Sequence, residues 1–192
     1  MKIRLISIIL LSSLFAFQSL AKETESIQVR LVTNQGDIEL TLDPSKAPVT
    51  VDNFLNYVDE GFYDGLIFHR VIRDFMIQGG GFDTQLQRRE TREPIINEST
   101  NGLSNVRGTI AMARTNDPDS ATSQFFINVS NNANLDGHPL RPGYTVFGEV
   151  SAGHEVVFAI SRMQTRPRGG HQNVPSTPVI IERAERVEKV IE

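Results

Sequence analysis

Phe68-His69-Arg70-Val71-Ile72, followed after Arg73-Asp74 by Phe75-Met76-Ile77-Gln78-Gly79-Gly80, is the stretch on which the reading of this 192-residue chain turns. Two short apolar runs divided by a charged pair predict two strands near a turn, one from Leu66 to Ile72 and one from Phe75 to Gln78. Successive strand side chains point to opposite faces, so Phe68, Arg70 and Ile72 are expected to share one face. An arginine then stands among apolar neighbours on a pleated surface. A lone strand arginine would read simply as solvent-exposed. Here Phe75 and Met76 add adaptable apolar area, and Gln78 adds an amide that both donates and accepts. His69 lies in an apolar context and reads as structural.

Outward from this stretch the chain reads as mainly β. Ile27–Thr33 and Asp37–Leu42 alternate apolar and polar residues across Asn34-Gln35-Gly36, which predicts an opening hairpin. Val51, Phe54, Leu55 and Val58 mark one face of a helix over Pro48–Glu60, with Gly61 as its C-cap. Thr109–Ala113, Gln124–Val129, Tyr144–Val150 and Val179–Val187 read as further strands, and His154–Met163 as a second amphipathic helix. Thr84–Glu93 reads as a solvated loop, with Arg88-Arg89 as an exposed charge run. Arg166–Pro178 reads as a Pro/Gly-rich loop. Short strands, two helices and no βαβ rhythm point to a closed or nearly closed antiparallel barrel in one domain, residues 25–192.

The first twenty-one residues stand apart. Lys2 and Arg4 precede an apolar run from Ile3 to Leu20, and Ser19-Leu20-Ala21 places small residues three and one before a cut. This is the pattern of a secretory signal peptide over residues 1–21. The alternative, a membrane anchor, conflicts with the short continuous apolar run and the absence of a basic stop-transfer cluster. The formal charge is −4, and losing Lys2 and Arg4 makes the remainder more acidic. That balance argues against nucleic acid and against anionic membranes as partners. The chain has no cysteine, so an exported form must rely on core packing rather than disulfides.

Several chemistries find no motif. His69, His138, His154 and His171 lack the spacing of a helical zinc site. Gly79-Gly80-Gly81 is followed by no Lys-Ser or Lys-Thr, so it does not read as a phosphate loop. There is no Gly-x-Ser-x-Gly elbow. Neither metal nor cofactor is expected. Asn97-Glu98-Ser99 and Asn128-Val129-Ser130 fit the glycosylation triplet but read as structural.

The stretch from Phe68-His69-Arg70 to Phe75-Met76-x-Gln78-Gly79-Gly80 resembles the central signature of the cyclophilins. Arg107-Gly108-Thr109-Ile110-Ala111-Met112-Ala113-Arg114 is similar to a second family segment in its bacterial form, and Ser123-Gln124-Phe125-Phe126-Ile127 to a third. Asn134-Leu135-Asp136-Gly137 and Val146-Phe147-Gly148 follow in order, so the resemblance spans nearly the whole chain after the leader. It implies a closed eight-stranded antiparallel barrel capped by two helices, and peptidyl-prolyl cis-trans isomerase (rotamase) activity on proline-containing polypeptides. By position, Arg70 would be the catalytic arginine, with Gln78 as its partner in the site. Phe75, Met76, Phe126 and Leu135 would line a proline pocket. Gln78 and Gln124 would hold substrate backbone, and Ala113 and the backbone of Arg114 would flank the extended peptide.

The chain also departs from the family. Many eukaryotic members carry a tryptophan where Asn134 stands, and its loss implies weak cyclosporin binding. Tyr144 stands where histidine is common; it reads either as a pocket wall or as a plain strand aromatic, and Thr145 receives no role. The bacterial form of the middle segment, with the leader, implies a periplasmic location; a eukaryotic secretory location is the alternative. A monomer is expected. A chaperone that grips proline segments without turnover, or a structural envelope protein, would be competing functions, but neither accounts for the arginine beside a pocket.

Overall fold

The computed structural model describes residues 26–187; the expected leader lies outside the described residues. Strands β1 (Ile27–Thr33) and β2 (Gly36–Leu42) form the opening hairpin. Their alternation buries Val29, Leu31, Ile38, Leu40 and Leu42. Helix α1 (Pro48–Asp59) begins with proline, whose missing N–H costs nothing in the first turn. Ala47 cannot cap it. The Glu98 carboxylate does so from far along the chain, accepting the Val49 and Thr50 N–H groups at 3.1 and 2.9 Å and the Thr50 hydroxyl at 2.7 Å. A negative charge at a helix N-terminus also suits the macrodipole. Glu98 is itself anchored by its N–H to the Thr145 hydroxyl, which gives Thr145 a role. At the other end Gly61 takes φ +64°, and Gly61 and Phe62 donate to the Val58 and Tyr57 carbonyls. This is a Schellman close, with the Tyr57 and Phe62 rings 4.5 Å apart across it.

Strands β3 (Arg70–Ile72), β4 (Met76–Gly79), β5 (Thr109–Met112), β6 (Phe125–Asn128) and β7 (Val146–Ala152) follow, and then helix α2 (His154–Ser161). Strands β8 (Thr165–Arg168) and β9 (His171–Pro175) pair with each other, and β10 (Ile181–Arg186) returns beside β1. The stretch read as a loop over Arg166–Pro178 is therefore mostly a hairpin. Gly169 and Gly170 both have positive φ, as a two-residue hairpin turn requires.

The eight-stranded sheet runs β10-β1-β2-β7-β5-β6-β4-β3 and is antiparallel throughout. It curls into an open half-barrel, which corrects the expectation of a closed one. The seam lies between β10 and β3. There the segment from Leu66 makes only isolated bridges, Leu66 with Asp83 and Ile67 with Ile180; the Ile67 N–H goes to the Phe82 carbonyl and the Phe68 N–H to that of Val179. A regular ladder starts only at Arg70. Phe68 turns into the core, fully buried, and does not share the face of Arg70 and Ile72.

Phe54 of α1 is the hub of that core. Its ring lies 5.2 Å from Tyr63 and from Phe147 and 5.6 Å from Phe125. Arg88 is exposed, but Arg89 is not part of a solvated charge run. Its guanidinium donates to the Phe62 and Asp64 carbonyls at 2.6 and 3.0 Å and pins the loop to the end of α1. Asn128 is fully buried, and the Asn97 amide is occupied by the carbonyls of Pro118 and Gly143, so both triplets are structural. Among the described residues, no helix is long and apolar enough to cross a membrane.

His69 packs edge-on against Phe82 at 4.7 Å and against His171 at 5.6 Å, 2 % exposed, with Nδ1 lacking a partner. Burial, then the nearby His171 and Arg70, lower its pKa to about 4. An unfolded histidine titrates at about 6.5, so as pH falls the unfolded chain takes the proton first. Stability should be full above about pH 6.5 and fall between there and about 4, by on the order of 2 kcal/mol at pH 4.5. Urea unfolding of the wild type and of His69→Gln across this range checks it. The variant should lose that part of the slope, and parallel profiles would contradict the assignment.

Candidate functional site

The site grows from the outward face of the strands that hold the core. Ile77, Ile110, Ile127, Met112 and Phe125 point inward, and their chain neighbours Met76, Ala111 and Phe126 must point outward. Register places Phe126 opposite both Gln78 and Ala111. Met76, Ala111, Phe126 and Val146 form a second, smaller apolar cluster, with Ile72, Phe75, Leu103, Ala113, Leu135 and Tyr144 packed against it.

A cavity of about 450 Å³ opens on this cluster. All ten residues expected in the site line it: Arg70, Phe75, Met76, Gln78, Ala113, Arg114, Gln124, Phe126, Leu135 and Tyr144. His69, Phe82 and His171 complete the wall. His171 carries no site signal in the sequence, because the Pro/Gly-rich stretch around it reads as loop whereas it starts β9. Phe82 carried no signal of its own. A larger cavity, about 510 Å³, lies elsewhere, bounded by Ser26, Asp43, Ser104 and Glu149. It sets two carboxylates and several hydroxyls beside apolar Leu42, Leu103, Val106 and Val146 but has no cation in its lining, so it lacks the pairing of positive charge with an apolar wall that marks the smaller one.

Arg70 is exposed at the mouth of the site. Its guanidinium donates to Gln78 Oε1 at 3.1 Å, and Gln78 Nε2 donates to Gln124 Oε1 at 3.0 Å. The β3–β4 register sets Arg70 opposite Gln78, so the first bond follows from strand pairing. Among the described residues no carboxylate lies within ion-pairing distance of Arg70. Its partner is a neutral amide, which holds the fork without cancelling the charge.

The glycines after Gln78 serve close approach. A Cβ on Gly81 would lie 2.6 Å from the Gln124 side chain, so Gly81 is what lets Gln124 lie flat beside Gln78. The Phe75 carbonyl accepts from Val129 N–H at 3.0 Å and Asn132 Nδ2 at 2.9 Å, which fixes the lip of the pocket.

Tyr144 closes the opposite side, edge-on to Phe126 at 5.6 Å. This places Tyr144 in the pocket wall. Arg114 was expected to matter through its backbone, but its side chain is also engaged. The guanidinium stacks 4.7 Å from the Tyr144 ring and donates to the carbonyls of Thr115, Pro142 and Gly143. Leu135 sits on a short 3-10 turn, Ala133–Leu135. The following Asp136 accepts from Ser104, from Asn105 N–H and from Asn105 Nδ2. Burial raises the Asp136 pKa, yet these bonds outweigh it and hold the carboxyl below its usual range. Asn134 is exposed beside this turn.

The arrangement offers an apolar slot, two amides and two guanidiniums, that of Arg114 clamped on backbone carbonyls and that of Arg70 held by Gln78. Among the described residues no group of acidic and histidine side chains could hold a metal ion. These groups can bind an apolar ring, hydrogen-bond an extended backbone and present a guanidinium at the mouth of the slot.

Known proteins place this geometry in a family. The family model described as cyclophilin type peptidyl-prolyl cis-trans isomerase/CLD matches residues 28–186. The peptidyl-prolyl cis-trans isomerase A of Dickeya dadantii (strain 3937) is 52 % identical over 185 residues, covering 96 % of this chain and 97 % of that protein. Isomerase B of Escherichia coli K12 is 55 % identical over 153 residues, covering 78 % and 93 %. The crystal structure of a cyclophilin-type isomerase from Cryptosporidium parvum, determined in the presence of the dipeptide Ala-Pro, superposes with a TM-score of 0.69 at 28 % identity, covering 84 % of this chain and 99 % of that one. With its fold, its pocket and these relatives in agreement, the chain belongs to the cyclophilin-type peptidyl-prolyl cis-trans isomerases.

Proposed function

We propose that the protein accelerates rotation about Xaa-Pro bonds in exported polypeptides, with Arg70 stabilising the twisted amide. The observation that carries this reading is an arginine held by a neutral amide at the mouth of an apolar pocket. The barrier to rotation is about 18–20 kcal/mol because resonance gives the C–N bond double-bond character. In the twisted state the nitrogen regains its lone pair, and a cation donating to it binds that state better than the planar one. Arginine keeps its charge at any working pH, and its fork can be held in orientation.

Phe75, Met76, Phe126 and Leu135 grip the proline ring while the carbonyl side swings. The Gln78–Gln124 pair offers hydrogen bonds to the client backbone, and Ala113 and Arg114 flank the extended chain. The Ala-Pro dipeptide with the Cryptosporidium relative supports a proline-containing ligand for this pocket. The leader-like residues 1–21 support export, which in a Gram-negative bacterium leads to the periplasm. Assistance to the folding of exported proteins follows as the biological role.

Arg70→Ala should lower kcat/KM for a short Xaa-Pro peptide at least a hundredfold, about 2.7 kcal/mol, with the unfolding midpoint unchanged. A protease-free exchange assay measures it. Unchanged turnover would refute the role of Arg70, and binding without acceleration by the wild type would favour a holding chaperone instead. Asn134 leaves the rim without an indole, so cyclosporin should inhibit weakly and Asn134→Trp should tighten inhibition at least tenfold. Nanomolar inhibition of the wild type would contradict this.

A further inference from the structure

Leu135 and Tyr144 both line the pocket, and the Tyr144 N–H donates to the Leu135 carbonyl at 2.9 Å. Residues 136–143 therefore leave and re-enter the fold at the rim of the site. Within this excursion His138 and Arg141 exchange backbone hydrogen bonds of 3.0 and 2.8 Å, which puts Pro139 and Leu140 at the tip. Proline at the first corner presets φ for the turn.

The base is rigid. Gly143 N–H donates to the Ser99 hydroxyl at 2.8 Å, and the Gly143 carbonyl accepts from Arg114 Nε at 2.9 Å and Asn97 Nδ2 at 3.1 Å. The packing admits no side chain there: a Cβ on Gly143 would lie 2.2 Å from the Gly137 nitrogen.

On this frame Leu140 is 92 % exposed, while the other exposed large apolar residues range from 37 to 60 %. A solitary exposed leucine means little by itself. This one stands on an arm whose two ends are pocket residues, and it belongs to neither apolar cluster of the fold. Its side chain is left almost wholly to solvent, at the tip of an arm that starts and ends at the pocket rim.

We propose that the His138–Arg141 turn is a client-binding arm, on which Leu140 takes an apolar side chain of the client close to the proline held in the pocket. The inference rests on the isomerase reading above and extends it to the substrate class: extended segments carrying a leucine-like residue a short distance from proline. An excursion of about eight residues folded back on itself reaches at most roughly 13 Å, which an extended client covers in about four residues. Contact with the arm removes apolar surface from water on both partners, so the gain is a hydrophobic one.

The test uses one blocked tetrapeptide centred on Ala-Pro and two twelve-residue peptides with the same centre. One long peptide carries leucine four residues to either side of the proline, and the other carries serine there. The wild type should turn over the leucine peptide with about fivefold higher kcat/KM than the serine peptide. Leu140→Ser should abolish that preference while keeping the wild-type rate on the tetrapeptide and the wild-type unfolding midpoint. A preference absent from the wild type, or retained in Leu140→Ser, overturns the arm. So does a parallel loss on the tetrapeptide, which would mean that Leu140 acts only by shaping the pocket. Failure of the wild type to accelerate even the tetrapeptide would instead refute the isomerase reading itself, so the two failures are told apart.

Discussion

The pleat of β4, β5 and β6 forces neighbouring residues to opposite sides of the sheet, and the site depends on that division. Ile77, Ile127 and Ile110 lie in register on the inner face and are fully buried. The neighbouring register row sets Gln78, Phe126 and Ala111 side by side on the outer face. A slip of one residue in any of these pairs would bring apolar core residues out to the pocket and take pocket residues into the core. The same packing that holds the sheet together therefore fixes the pocket floor. Phe54, Tyr63, Phe125 and Phe147 back that floor from within, so the outer face is a rigid wall.

Charge is distributed in keeping with this. Arg30, Arg92, Arg183 and Arg186 are spent on surface ion pairs with Glu39, Glu60, Glu185 and Asp59. Arg89 and Arg114 donate to backbone carbonyls and act as clamps. Among the described residues the Arg70 side chain has only a glutamine as partner, itself tied to a second glutamine. An amide relay of this kind orients a guanidinium while leaving its charge for a ligand. His69, kept neutral by burial, adds no further positive charge to those of Arg70 and Arg114 near neutral pH.

Much of this was legible in the sequence, for a physical reason. Period-two alternation marks β1 and β2, and the run Val51, Phe54, Leu55, Val58 marks α1, because burial there is one-sided; β5 and β6 are buried on both faces and show instead as short, largely apolar runs. All ten expected site residues converge because they are set by local strand position and by motifs of fixed spacing. What stayed hidden depends on distant partners. Glu98 caps α1 from some fifty residues away, and no local pattern announces it. The open seam depends on distant segments too: Leu66 and Ile67 meet Asp83 and Ile180 only in isolated bridges, which no local pattern announces. Arg89 reads as one more charge in a polar run until the Phe62 and Asp64 carbonyls are seen around it. The β8–β9 hairpin was hidden by composition, since glycines and prolines there mask a turn whose two central residues both need positive φ.

Two cavities of similar size compete for the role of ligand site, and the account rests on the smaller one. The most direct measurement is a titration of the protein with Ala-Pro dipeptide, followed by backbone amide NMR. The shifts should concentrate on Arg70, Gln78, Ala113, Gln124, Phe126 and Leu135, with Thr41, Asp43, Ser104 and Glu149 unmoved. Shifts centred on Asp43, Ser104 and Glu149 would place the proline site in the other cavity and contradict the account.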